Sequence, residues 1–194
     1  KSGQRAGCVE RSNSMRIIIV ISIVWLCSYG KSAAQPSSFP AGYVGQWKGT
    51  LTWTSAAKAP QQFTMRLQVQ PLDSGRYSWQ IMYGDDSSAT QKTDTRPYRL
   101  IPVDTAKGHW QMDERNSIML DGYYAANRFV FVFAVQGATI VSSYELINDQ
   151  LNIEFISYPS KPIAVTGGST TDVPPVESFR VSSVQRGILK RVAN

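Results

Sequence analysis

The sequence is poor in the residues that most enzymes and metal proteins use for chemistry. Its 194 residues include one histidine, His109, and two cysteines, Cys8 and Cys27. A single histidine excludes a two-histidine metal site and the H-E-x-x-H motif, and no G-x-S-x-G sequence supplies a nucleophile elbow. Without cysteine after residue 27, no disulfide stabilises the remainder, so the fold must rest on its core. We therefore predict that the protein is not an enzyme and needs no cofactor or metal.

A surplus of one charge sign is also missing over most of the chain. The formal charge is +6, but residues 1–34 hold five Lys/Arg and one Glu. Residues 35–194 carry fifteen basic and thirteen acidic side chains, a net charge of +2. Because the basic residues form no stripe, nucleic acid is not an expected partner.

Long apolar runs are limited to one near the N-terminus. Met15-Arg16 precedes an apolar run over 17–27, and Ser32 and Ala34 suit the −3 and −1 subsites of a signal peptidase. We predict a signal peptide over 15–34, cleaved near Ala34, and a periplasmic or secreted product. This leader and the lack of an N-x-S/T sequence after residue 34 favour a bacterial origin.

Two other interpretations of the N-terminal region remain open. A retained membrane anchor would need about 20 apolar residues, and a lipoprotein cysteine at Cys27 would need small residues where Trp25 and Leu26 stand. Residues 1–14 lack apolar periodicity and are interpreted as upstream translated sequence or an expression remnant. We expect no membrane span in residues 35–194.

Helical periodicity is scarce after residue 34, and alternation with period two dominates. Phe63, Met65, Leu67 and Val69, for example, share one face of a strand whose other face is polar. The predicted strands are 45–53, 61–71, 76–83, 96–103, 107–113, 116–125, 127–135, 138–147, 151–158 and 177–190.

Short turns join these strands, as Asp73-Ser74-Gly75, Ala125-Ala126-Asn127, Gln136-Gly137 and Asn148-Asp149-Gln150 illustrate. A meander of this kind predicts an all-β fold, a single antiparallel up-and-down β-barrel of about 8–10 strands over 35–194. A β-sandwich is the alternative.

Three segments stand apart from this pattern. The polar stretch 84–95 and the Pro/Gly-rich stretch 159–176 are long enough to be lids or disordered excursions. Residues 129–135, Phe-Val-Phe-Val-Phe-Ala-Val, are apolar on both faces. Their outer face is either covered by a loop or the N-terminal tail, or forms a homodimer contact.

Acidic residues offer little more. Asp85-Asp86 and Asp113-Glu114 are neighbours in sequence, and neighbouring strand residues point to opposite faces. We interpret both pairs as solvated turns. The alternative is a cation site made by Asp85, Asp86 and Asp94, although the spacing of a calcium loop is absent.

The strand that begins Gly45-Gln46-Trp47 resembles the signature of the lipocalins and the wider calycin family. In that family a tryptophan at the closed end of the barrel packs under a basic residue of the last strand. Arg186 is our first candidate for that residue, and Arg191 is the second. A guanidinium can stack on an indole and still donate hydrogen bonds to loop carbonyls.

The resemblance implies a cup that binds a small hydrophobic molecule without catalysis. The alternative is a barrel that is simply filled, as in a cell-envelope interaction protein. The predicted interior residues are Trp53, Met65, Leu67, Trp79, Ile81, Trp110, Met112, Ile118, Leu120, Phe131 and Phe133.

A third possibility is a haem-binding barrel, since the similar nitrobindin-like proteins bind haem through a histidine. Here that ligand would be His109. It alternates with Trp110 and Met112, so we expect it to face outward, away from the interior.

Overall fold

The computed structural model describes residues 39–84 and 94–192. The predicted leader, residues 1–14 and the acidic pair Asp85-Asp86 lie outside these ranges. Within the described ranges, three single-turn 3-10 helices, Ala41–Tyr43, Asp73–Gly75 and Thr105–Lys107, accompany twelve strands. The strands are β1 Gly45–Ser55, β2 Lys58–Pro71, β3 Tyr77–Tyr83, β4 Asp94–Asp104, β5 His109–Asp113, β6 Met119–Ala125, β7 Arg128–Val135, β8 Ala138–Ile147, β9 Gln150–Pro159, β10 Ala164–Thr166, β11 Val176–Ser178 and β12 Ser183–Arg191.

Ten of these strands form a closed antiparallel barrel in the order β1-β12-β9-β8-β7-β6-β5-β4-β3-β2. Closure occurs where β1 pairs with β2 on one side and β12 on the other, with Trp47 opposite both Leu67 and Arg191. The predicted all-β, up-and-down barrel is therefore confirmed. In the described part of the chain, no helix has the length and apolarity to cross a membrane.

Three hairpin turns have the backbone that their sequences predict. Residues Ala126 and Asn127 both have positive φ, 48° and 63°. The same holds for Gln136-Gly137 and for Asn148-Asp149. Two consecutive residues with positive φ twist the chain in the sense that adjoining strands require. These turns set the register of β6 to β9.

The last predicted strand, 177–190, is wrong in its first half. Residues Val176–Ser178 pair with Ala164–Thr166 in a separate two-stranded sheet, and only Ser183–Arg191 joins the barrel. The reason is that β9 ends at Pro159, so the chain before residue 183 has little barrel strand to pair with. The long connection 159–176 thus contains part of a small hairpin.

The prediction that Ile118 lies in the interior is also wrong. It lies in a turn and is 44% exposed. Arg115 and Ser117 have positive φ, and the Asn116 side chain accepts a hydrogen bond from the Ile118 amide at 3.1 Å. These local bonds stop the strand from starting at residue 116 and delay it to Met119.

One end of the barrel, here called the closed end, is filled by residues 39–44. The Phe39 ring stacks on Tyr124 at 4.6 Å between centroids and also contacts Trp110 and Phe129. The Tyr43 hydroxyl donates a 3.0 Å hydrogen bond to the Tyr144 carbonyl. This half of the barrel is a packed aromatic core.

A close approach inside the closed half depends on Gly122. A Cβ there would lie 2.5 Å from Phe131 and 2.8 Å from Phe129, so only glycine lets both rings pack against the β6 backbone. Those rings in turn form the boundary between the filled half and the remainder of the interior.

Trp47 is covered by Arg191 and not by Arg186, so the first candidate was wrong and the second is confirmed. The Arg191 guanidinium carbon lies 4.1 Å from the centre of the indole ring. Arg186 pairs with Thr52 and Glu154 on the outer face. The two arginines differ by five residues, and alternation sends only one of them inward.

Candidate ligand-binding site

The opposite end of the barrel, here called the open end, encloses a cavity of about 420 Å³. It lies among the inward side chains of the strand halves remote from residues 39–44. Cavities of this size accept small organic ligands. The lining residues are Phe63, Trp79, Ile81, Tyr83, Asp94, Arg96, Tyr98, Met112, Glu114, Leu120, Phe131, Phe133, Ile140, Ser142, Tyr144, Phe155 and Gln185.

Eight of the seventeen lining residues are aromatic, and several of their rings meet edge to face. Phe63 and Tyr83 lie 5.7 Å apart at 67°, while Tyr144 and Phe155 lie 5.8 Å apart at 80°. Such pairs are rigid and expose flat apolar surface. The wall therefore suits a flat, apolar molecule.

The floor of the cavity, defined here as Trp79, Tyr144 and Ser142, carries polar atoms. The Trp79 and Tyr144 rings lie 5.3 Å apart at 88°. Trp79 is fully buried, and its indole nitrogen has no hydrogen-bond partner among the described residues. Its N–H lies close enough to the Tyr144 hydroxyl to influence it, but not in hydrogen-bonding geometry.

Tyr144 keeps its proton over the physiological range. Burial raises the pKa of its hydroxyl well above the ordinary value of 10.0, Tyr83 adds to this effect, and the Trp79 indole opposes it. Ser142 stands two residues earlier on the same face of β8 and is 5% exposed. The floor therefore offers the indole N–H and two hydroxyl groups.

Charged residues surround the mouth of the cavity. Arg96 donates to Asp94 Oδ2 from Nε at 3.3 Å and from Nη2 at 3.1 Å, and its guanidinium lies 5.1 Å from the centre of the Tyr83 ring. Burial alone would lower the pKa of Arg96, but Tyr83 and Asp94 outweigh it and raise that pKa. The positive charge of Arg96 is thus already paired with the Asp94 carboxylate and lies over the Tyr83 ring.

Tyr98 and Glu114 complete the mouth. Burial raises the pKa of Tyr98, Glu114 raises it further, and Arg96 opposes both. Glu114 follows Trp110 and Met112 in the inward series of β5 and is half-buried. With Asp94 and Glu114 against one arginine, the described residues give the mouth a net negative charge.

The predicted interior residues divide between the two halves of the barrel. Trp79, Ile81, Met112, Leu120, Phe131 and Phe133 line the cavity. Met65, Leu67 and Trp110 are buried in the packed interior instead. Trp53 is half-buried near the open end of β1 and does not line the cavity.

Sequence reasoning missed the polar and charged part of the lining. Tyr83, Arg96, Tyr98, Glu114 and Ser142 all point inward because they continue the alternation of Trp79, Leu100, Met112 and Tyr144. That parity was the available signal. Because these side chains are polar or charged, the expectation of an apolar interior left them out.

His109 faces outward, as predicted, and lies away from the cavity. Its Nε2 is 2.7 Å from the Asp121 carboxylate, and its ring stacks on Tyr123 at 4.7 Å. The Asp121 pKa is lowered by this hydrogen bond and by a second one from Gln111. Among the residues placed by the structure, no cluster of three His, Cys, Asp or Glu could hold a metal ion.

Comparison with known proteins supports the fold. No protein-family model and no curated protein sequence matches the chain. A protein of unknown function from the DUF3598 family of Nostoc punctiforme PCC 73102 is similar in structure, with a TM-score of 0.51, 15% identity, and coverage of 78% of this chain and 48% of that chain. The present chain thus spans about half the length of that protein.

The S-type phycobiliprotein lyase CPES from Guillardia theta is similar over more of its length. Its TM-score is 0.55 at 8% identity, with 79% of this chain and 90% of that chain covered. At such identities the comparison concerns the fold alone. The calycin-like barrel that the sequence indicates is confirmed.

Proposed function

We propose that this barrel binds a small, flat, apolar molecule in its open half and carries it without catalysing a reaction. The observation that supports this most is the aromatic cavity of about 420 Å³ above a closed end that is fully packed. An apolar interior that is open at one end can take a ligand out of water, and binding becomes more favourable in proportion to the apolar surface that is buried.

The test is a fluorescence titration with N-phenyl-1-naphthylamine, whose emission rises in apolar surroundings. Saturable binding at one probe per chain is expected. Ile140→Trp, which fills the cavity from its wall, should abolish it. Val132→Trp is the matched control, because Val132 is 60% exposed on the neighbouring strand β7. Loss of binding in both variants, or in neither, would contradict the proposal.

We also propose that the carrier works after export, as the apolar run at 17–27 and the small residues before position 35 suggest. Expression with the native N-terminus in a bacterial host, followed by N-terminal sequencing of the exported protein, tests this. A mature chain that begins at Gln35 is expected. A product that keeps residues 15–34 in the membrane fraction would count against it.

A second candidate function is an interaction through the outer face of β7. Val132 is 60% exposed there, and Ala134 on the same face is also exposed, so no described loop covers this face. Phe131 is 4% exposed inside the barrel and cannot take part. Light scattering after size exclusion would show a dimer that Val132→Asp dissociates. A monomer at high protein concentration would dispose of this candidate.

A further inference from the structure

We infer that the ligand enters with a hydrogen-bond acceptor leading, such as a ketone, ether or ring-nitrogen lone pair. This acceptor is received on the cavity floor by the Trp79 indole N–H and the hydroxyls of Tyr144 and Ser142. The inference rests on the proposed ligand-binding function and specifies the chemical class of ligand that the same cavity takes.

The Trp79 N–H is the first argument. An indole nitrogen can only donate, and a buried donor without an acceptor costs free energy in the folded state. Trp79 is 0% exposed, lines the cavity, and its N–H has no acceptor in residues 39–84 and 94–192. A ligand atom with a lone pair removes that cost, whereas a hydrocarbon leaves it in place.

The hydroxyls of Tyr144 and Ser142 are the second argument. Both residues are at least nine-tenths buried and line the cavity from the same face of β8. The group that approaches the Tyr144 hydroxyl is the Trp79 indole N–H, which is itself a donor, so the phenol proton has no acceptor from it. Because burial keeps the phenol of Tyr144 protonated, it remains available as a donor.

The distribution of charge is the third argument. The ionic groups, Asp94, Arg96 and Glu114, stand at the mouth, while the floor contains neutral groups only. A charged ligand group would be desolvated at the floor without a partner of opposite sign. A neutral acceptor on an aromatic body matches both the floor and the wall.

Two naphthalenes of nearly equal shape provide the test. 2-Acetylnaphthalene has a ketone oxygen where 2-ethylnaphthalene has two hydrogen atoms. Each is titrated against protein loaded with N-phenyl-1-naphthylamine, and displacement gives its affinity. We expect the ketone to bind about ten-fold more tightly, the ratio that one net hydrogen bond of ordinary strength provides.

Variants of the floor locate the effect. Tyr144→Phe and Ser142→Ala each remove one oxygen and should reduce the ketone preference while affinity for 2-ethylnaphthalene stays the same. Ser143→Ala is the matched control, since Ser143 is the next residue on the opposite face of β8 and is also buried. It should leave the preference unchanged.

Nuclear magnetic resonance supplies an independent readout. The indole N–H signal of Trp79, assigned through Trp79→Phe, should move with 2-acetylnaphthalene and stay nearly still with 2-ethylnaphthalene. Equal affinities, a preference for the hydrocarbon, or failure of both to displace a bound probe would overturn the inference and leave the carrier function standing. Failure of the probe itself to bind would refute the carrier function, and the inference with it.

Discussion

Arg191 covers the indole ring of Trp47 and at the same time donates hydrogen bonds to the carbonyls of Val44 and Gly42. Its Nε also bonds Asp149 at 2.9 Å, in the turn between β8 and β9. One side chain from the last strand thus joins the first strand, the segment that fills the closed end and a distant hairpin. Trp47 in turn donates its indole N–H to the Tyr43 carbonyl at 2.8 Å.

We expect Arg191→Lys to destabilise the protein by about 1–3 kcal/mol, because lysine keeps the charge but loses the planar fork that serves two carbonyls and the indole. Urea unfolding measures this. Arg186→Lys, on the outer face of the same strand, should change stability by less than about 0.5 kcal/mol. Equal effects of the two substitutions would show that Arg191 has no special role in closure.

Gly45 should tolerate a side chain poorly. Its φ is +135°, and a Cβ would lie 2.5 Å from the Arg191 guanidinium. We expect Gly45→Ala to cost about 2–4 kcal/mol through backbone strain and displacement of Arg191.

Gly137 is the matched control for this substitution. It also has positive φ, +78°, but a Cβ added there would meet no atom within 4 Å. Gly137→Ala should therefore cost only the strain, about 1–2 kcal/mol. If the two variants unfold at the same urea concentration, the contact with Arg191 does not matter.

Alternation along single strands allowed much of this architecture to be predicted from the sequence. The inward series of β2 and the outward position of His109 follow from local parity alone. The partner of Trp47 could not be found that way. It depends on the register between β1 and β12, in which Trp47 and Arg191 are 144 residues apart and whose pairing is fixed by closure of the whole barrel.

How much of the barrel interior is filled and how much is cavity could not be predicted from the sequence for a similar reason. It depends on how far residues 39–44 enter the barrel, and Phe39 reaches Tyr124 and Phe129 on β6 and β7. The polar residues of the cavity lining were missed because interior positions were expected to be apolar. Glu114 has the parity of an interior residue, yet its place in the charged pair Asp113-Glu114 predicts a solvated turn.

Releasing Arg96 from Asp94 should change which ligands the cavity accepts. Asp94→Asn removes the carboxylate that engages the guanidinium, and the mouth then offers an unpaired cation to an anionic ligand. We expect the affinity for dodecanoate to rise about two- to five-fold relative to dodecanol, as an exposed ion pair allows. Displacement of N-phenyl-1-naphthylamine measures both ligands.

Asp73→Asn is the control for this experiment. It breaks the comparable ion pair between Asp73 and Arg76 in the turn that joins β2 and β3, remote from the mouth. The ratio of the two affinities should not change. An equal change in both variants would attribute the effect to net charge and not to Arg96.

Tyr43 should make the protein sensitive to alkali. Burial raises the pKa of its hydroxyl far above the ordinary value of 10.0, with Tyr124 adding to the effect. A phenol whose pKa is higher in the folded state stabilises the fold fully below the unfolded value. That contribution is lost as the pH rises above about 10, where the unfolded chain ionises first.

Tyr43→Phe isolates this contribution. At pH 8 the variant should be less stable by about 1 kcal/mol, because it lacks the hydrogen bond to the Tyr144 carbonyl. At pH 11 the difference should shrink or reverse, since phenylalanine has no proton to lose in the unfolded state. Urea unfolding at the two pH values measures it. A difference that stays constant would mean that the pKa of the Tyr43 hydroxyl is the same in the folded and unfolded protein, and one that grows with pH would mean that folding lowers it; either result would contradict the prediction.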